Sequence, residues 1–99
     1  MHVAVHLYRI AQEAVGNAIK HGEAKNVVVQ REYSQSGKLL RVMDDGMGLP
    51  PMHINGRGMG LRIMAYRSEL IGAKLDVRGR STRGTVVTCS LPLREAVLT

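Results

Sequence analysis

Residues 48–60 read GLPPMHINGRGMG, with four glycines and two prolines. That density of breakers rules out a helix or strand, since proline lacks a backbone N–H and glycine is costly to order. The 99-residue chain is therefore interrupted near its middle. One domain is the expectation at this length, so the two flanking halves must share one core.

Each half has the same order of elements. Leu7, Ile10, Ala11, Ala14, Val15 and Ala18 recur at helical spacing, which predicts a helix over 3–21 with these residues inward. Lys20, His21 and then Gly22 suit its C-terminus. Residues 26–33 and 38–44 read as strands joined by the turn SQSGK, an antiparallel hairpin. After the breakers a second helix is expected over 61–70, with Leu61, Met64, Ala65 and Ile71 inward and Gly72 as its stop. Strands at 74–79 and 85–93 follow, joined by the turn RSTRG. Helix, hairpin, helix, hairpin is the pattern of an α+β two-layer sandwich, a mixed, mostly antiparallel sheet with helices on one face. A doubly wound sheet would need strand–helix alternation, which is missing.

The three aromatic residues are all tyrosines, so the core must be aliphatic. No apolar run approaches the roughly 18 residues of a membrane span, and MHVAVHLYRI lacks the marks of a signal peptide. Cys89 is the single cysteine, which fits a reducing cytoplasm and a buried structural role. The formal charge is +6, and residues 57–83 carry seven bases against two acids. Such a patch attracts phosphates. Single-strand readers interleave bases with stacking aromatics, and only Tyr66 lies in this stretch, so nucleic acid is not the expected partner. A basic nucleic-acid-binding module remains the alternative from another class.

Several groups could carry chemistry. On the first helix Glu13, Gly16, Asn17 and Lys20 fall on the side opposite Leu7, Ala14 and Ala18, an acid, an amide and a cation beside a glycine that clears space. Glycine and asparagine at adjacent helical positions each cost roughly 0.5–1 kcal/mol against alanine, so a compensating role is expected. In VMDDGMGLP a strand ends at two acids followed by spaced glycines. A carboxylate there can accept from an N–H donor in an otherwise apolar slot. GRGMGL leads into the second helix, where free N–H groups make an anion site. It is neither a Walker loop nor a dinucleotide fingerprint, since GK[ST] and a parallel βαβ unit are absent. His2 and His6 are spaced as a metal pair, but no third ligand is evident.

Taken together and in order, EAVGNAIKH, DDGMG, GRGMGL and RGTVVTCSLPL resemble the N, G1, G2 and G3 boxes of the gyrase, chaperone, histidine kinase and mismatch-repair ATPases, over nearly the whole chain. LYRIAQEAVGNAIKHG and the short segment between the glycine boxes are most similar to sensor histidine kinases of the nitrate/nitrite type. The resemblance implies the Bergerat-type sandwich, one domain over 1–99, and ATP with Mg²⁺ as ligands. It implies Asp44 as acceptor for the adenine amine, with Asp45 supporting, and Gly46 and Gly48 keeping side chains off the base. Asn17 would coordinate Mg²⁺, and Glu13 would be the water-orienting or basic carboxylate. Lys20 and His21 would face the phosphates. Gly58, Met59, Gly60 and Leu61 would offer them backbone N–H groups, and Gly84 and Thr85 would lie near the base. The lid would be the segment between Gly48 and Gly58, which includes His53.

The same resemblance implies donation of the γ-phosphoryl group to a histidine on a separate dimerisation segment, with a response regulator downstream. The full protein would be a homodimer, with this domain cytoplasmic and the whole possibly membrane-anchored. No histidine sits in an H-[DE]-x-L-like context, so the chain is expected to be the catalytic piece alone. An anti-sigma-factor-type serine kinase on the same fold is the alternative within the superfamily.

Overall fold

The computed structural model describes residues 3–48 and 59–92. Helix α1 spans Val3–Lys20, β1 Val27–Ser34, β2 Gly37–Asp44, α2 Met59–Leu70, β3 Lys74–Gly79 and β4 Thr85–Pro92. Every expected element is present, and the ends move by only one or two residues. Leu93 and the segment between Gly48 and Met59 lie outside the described residues.

The strands form one sheet in the order β1-β2-β4-β3, antiparallel at every pairing. The first hairpin closes at Ser34 opposite Gly37, and the second docks on it through β4, with Val42 opposite Val87. β-Branched and aliphatic residues alternate along β2 and β4, so Leu40, Val42, Val87 and Cys89 point one way. Against them pack Ile10 and Ala14 of α1 and Leu61 and Met64 of α2. Both helices therefore cover the same face. Ile10 and Met64 are fully buried, worth roughly 1.5–3 kcal/mol each in water removed from apolar surface.

α2 ends in a Schellman motif. The Ala73 N–H donates to the Ser68 carbonyl and the Gly72 N–H to Glu69, and Gly72 takes φ 71°, the left-handed turn that glycine permits. Ala65, expected inward, is exposed. The buried line runs Leu61, Met64, Ser68 and Ile71, and Ala65 sits about 100° around the helix from Met64. Ser68 is the polar member of that line. Its hydroxyl donates to the Met64 carbonyl at 2.9 Å and lies 3.6 Å from the Cys89 thiol, whose pKa is pushed up by burial.

The end of α1 differs from the expectation for Gly22. The left-handed residue is Glu23, at φ 54°, not the glycine. A Cβ on Gly22 would come 3.0 Å from the Ala18 carbonyl oxygen, and Gly22 in turn forces bareness on Gly46, whose Cβ would come 2.5 Å from the Gly22 carbonyl oxygen and 3.0 Å from its Cα. The Met47 N–H donates to that same carbonyl at 2.8 Å.

Candidate functional site

Alternation along β2 places Asp44 on the same inward face as Leu40 and Val42. An acid at a core-facing position needs a compensating partner, since desolvating a carboxylate costs several kcal/mol. Asp44 is only 6% exposed, and its Oδ1 accepts from the Gly46 N–H at 2.8 Å. It lines a pocket with Ala14, Asn17, Gly48, Leu61, Met64 and Thr85. The open volume there is about 20 Å³, little more than one water needs.

The segment after Asp44 is held on all sides. Gly46 lies against Gly22. Gly84 lies against the Asp44 carbonyl so closely that a Cβ on it would overlap that oxygen, and its φ is 107°. The Arg80 Nη1 donates to the same Asp44 carbonyl at 2.9 Å, and the Arg83 Nε donates to the Gly46 carbonyl at 3.0 Å. The Arg80 N–H closes its own turn on the Gly84 carbonyl at 3.0 Å.

Asp45 is not in the pocket. Its Oδ1 accepts from the N–H groups of Lys25 and Asn26 at 2.8 and 2.9 Å, and its Oδ2 accepts from the Asn26 side-chain amide at 2.8 Å. The Asn26 N–H, followed by the Asn26 amide, lowers its pKa to about 2, with burial opposing. It is a supporting residue that ties the approach to β1 to the end of β2.

Two residues on the polar side of α1, Glu13 and Asn17, face the start of α2. A Cβ at Gly60 would meet Asn17 Nδ2 at 2.9 Å, Asn17 Oδ1 at 3.0 Å and Glu13 Oε1 at 3.0 Å. Asn17 and Glu13 are half-buried there, and their side-chain ends occupy the space a Cβ on Gly60 would take. Leu61 is buried beneath the same turn, while Lys20 and His21 are exposed at the end of α1. Gly16 borders open space: a Cβ added there would meet nothing within 4 Å, so no described protein atom requires the glycine. Met59 opens α2; Gly58, His53 and the rest of the lid lie outside the described residues. His2 does too, and His6 Nδ1 instead lies 3.1 Å from Arg67 Nη1 on α2. Among the described residues no three His, Cys, Asp or Glu side chains gather to hold a metal.

A family model described as histidine kinase-, DNA gyrase B-, and HSP90-like ATPase matches residues 2–95. The chain belongs to this ATPase family. Nitrate/nitrite sensor protein NarX of Escherichia coli (strain K12) is 38% identical over 86 residues, 87% of this chain and 14% of the relative. The histidine-protein kinase/phosphatase UhpB of Salmonella typhimurium is 38% identical over 90 residues, 91% of this chain and 17% of the relative. The chain thus spans a small part of these curated relatives. The ATP-binding domain of PrrB from Mycobacterium tuberculosis superposes with a TM-score of 0.76 at 26% identity, covering 89% of this chain and 67% of that one. Full-length ShkA in complex with AMPPNP superposes with a TM-score of 0.69 at 27% identity, covering 94% of this chain and 24% of that one.

The fold is accordingly the Bergerat-type sandwich of histidine kinase ATP-binding domains, the catalytic module of that family. No described helix is long and apolar enough to cross a membrane. Of the residues singled out in the sequence, Asp44, Asn17, Leu61, Gly48 and Thr85 line this pocket, whereas Glu13, Lys20, His21, Gly46 and Gly60 do not. Sequence reasoning missed Arg80 and Arg83, which it counted only as members of a basic patch. No signal within RSTRG could have revealed their acceptors, which lie 36 and 37 positions away.

Proposed function

We propose that the chain is the ATP-binding domain of a two-component sensor kinase and that its pocket takes the adenine ring against Asp44. The observation that carries this is a nearly buried carboxylate ending a core strand, beside bare glycine backbone and the first turn of α2. An ionised carboxylate accepts only, so it suits the 6-amino group of adenine and repels the 6-oxo group of guanine or hypoxanthine. Thr85 and Gly48 border the same pocket. Its small volume means that α2 and the Gly48 segment must part to admit a purine.

The triphosphate would run toward the start of α2, where the N–H groups of Gly60 and Leu61 and the helix dipole favour anions, with those of Gly58 and Met59 beside them. Lys20 and His21 would face the phosphates from the end of α1, with Lys20 supplying charge. The residues present fit a magnesium ion: the Asn17 amide and the Glu13 carboxylate stand together against Gly60, a hard oxygen set for a cation that keeps several waters. Asn17 would hold it, and the ion would neutralise charge on the phosphates. In the transfer, a histidine ring nitrogen on a separate dimerisation segment bonds to the γ-phosphorus, and the β–γ bridging P–O bond breaks toward ADP. Positioning and charge neutralisation are the protein's contribution. Glu13 would orient the attacking group. The acceptor belongs to the rest of a homodimeric kinase, and a response regulator would receive the phosphoryl group afterwards.

A nucleic-acid role is disfavoured by two arginines of the basic stretch, which donate into the protein's own carbonyls. Calorimetry with Mg·ATP tests the reading. Asp44→Asn should weaken binding by about 1.5–3 kcal/mol, or roughly ten- to a hundredfold. Unchanged affinity removes Asp44 from the site. Labelled ATP should leave the isolated chain without phosphohistidine, and strong self-labelling would refute the separate acceptor.

A further inference from the structure

Asp44 can select a base only if its carboxylate points the same way each time. Its direction follows from the 44–46 backbone, which the first half of the molecule holds at Asp45, through Lys25 and Asn26, and at Gly46, through Gly22. The second half of the molecule adds a hold on the two carbonyls of that segment. Arg80 and Arg83 lie in the β3–β4 turn, and their guanidinium groups reach the carbonyls of Asp44 and Gly46. Between those two carbonyls sits the Gly46 N–H that holds the Asp44 Oδ1. A planar guanidinium donates in fixed directions, and a bond from a charged donor is roughly twice as strong as a neutral one. Asp44 and Gly46 are buried, so their carbonyls need partners from the protein itself. Two long, exposed side chains reach in to these buried residues and hold their carbonyls in fixed directions.

We propose that Arg80 and Arg83 are positioning residues for nucleobase selection: they clamp the Asp44–Gly46 backbone so that the carboxylate meets the 6-amino group of adenine. This rests on the reading of Asp44 above. A rival role is simple attraction of the triphosphate, because both side chains are cationic and near the pocket. The two differ in what they do to a nucleotide that lacks the amine. Inosine triphosphate has the same phosphates and sugar, with an oxo group at the selected position. A clamp acts on ATP alone; attraction acts on both.

The experiment is calorimetry of Mg·ATP and Mg·ITP with the intact chain, Asp44→Asn, Arg80→Met/Arg83→Met, and the three changes combined. Ligand-free melting is followed for each. For the arginine pair, ATP affinity should fall about five- to tenfold while ITP changes less than about twofold. The combined variant should bind ATP no more weakly than Asp44→Asn, since residues acting through one group are not additive. Equal losses for ATP and ITP would establish phosphate attraction and overturn the clamp. Selectivity lost in Asp44→Asn but kept in the arginine pair would also overturn it, leaving the adenine site intact. If Asp44→Asn keeps full selectivity, the reading of the pocket itself fails. Should the methionine pair not fold without ligand, Arg80→Lys and Arg83→Lys carry the same comparison, and full ATP-over-ITP selectivity in both would overturn the proposal.

Discussion

Glycine serves opposite ends in two regions of this domain. At the pocket rim, Gly46 and Gly84 touch backbone of distant segments, Gly22 and Asp44, with no room for a single extra carbon. On the outside of α1, Gly16 stands beside open space. The residue type is the same, and sequence reasoning treated both as space made for a ligand. The rim glycines let main chain meet main chain and so fix where Asp44 lies. The helix glycine touches no described protein atom that a Cβ would meet, so within the domain its cost is helix propensity. Bareness is thus a structural requirement where backbone crosses backbone, and a cost elsewhere.

The largest effect should come from filling the rim. Gly84→Ala introduces a Cβ that overlaps the Asp44 carbonyl and forces alanine into φ 107°. Neither neighbour is a flexible side chain, so the strands must part. A loss of about 3 kcal/mol or more is expected, seen as a chemical-denaturation midpoint shift or as failure to fold. Gly46→Ala, whose Cβ would lie 2.5 Å from the Gly22 oxygen, should cost somewhat less, about 2–3 kcal/mol. If either variant matches the parent in stability, the contrast between the two regions collapses.

Gly60 stands between the extremes. A Cβ there meets the ends of Asn17 and Glu13, which can rotate away, and alanine is the better helix former by roughly 1 kcal/mol. Stability should therefore change by less than about 1 kcal/mol, while Mg·ATP affinity falls because Asn17 and Glu13 have been moved. Calorimetry beside a melting curve separates the two; a parallel loss of both would make Gly60 a rim-type glycine.

How much of this could be read beforehand follows from the range over which each signal acts. The elements were legible because breakers and periodicity are local. Asp44 was legible because two acids at the end of an apolar strand conflict with its alternation. Leu61 and Met64 were legible for the opposite reason, as apolar residues at helical spacing. Ala65 misled because a small apolar residue looks inward wherever it stands. Contacts between halves were hidden. Asp45 with Asn26, Asn17 with Gly60, and Arg80 with Asp44 depend on sheet register and on how α2 lies across α1, which no local pattern encodes.

Asp45 tests the support beneath the rim. Its carboxylate is held ionised by the Asn26 N–H and amide, with its pKa lowered from 3.8 to about 2. A depressed folded pKa means stability that is fully present above the unfolded value and lost as pH falls toward the folded one. Asp45→Asn should therefore melt lower than the parent at pH 7. The gap should close between about pH 4 and pH 2. A gap that persists at the acid end would mean the side chain contributes by shape and not by charge.

The smallest effect, and the one opposite in sign, belongs to Gly16. With nothing within 4 Å of the added carbon, Gly16→Ala removes only the entropy penalty of glycine in a helix. Stability should rise by about 0.5–1 kcal/mol, or roughly 2–8 °C in a domain of this size. Mg·ATP affinity should stay unchanged, because Glu13 and Asn17 turn toward Gly60 and not toward Gly16. A variant that melts higher but binds nucleotide more weakly would show that a ligand or a partner comes within a carbon's reach of Gly16. In that case the helix glycine would join the rim glycines as a residue kept bare for contact, and the difference between the two regions would be one of partner: the protein's own backbone at the rim, another molecule on α1.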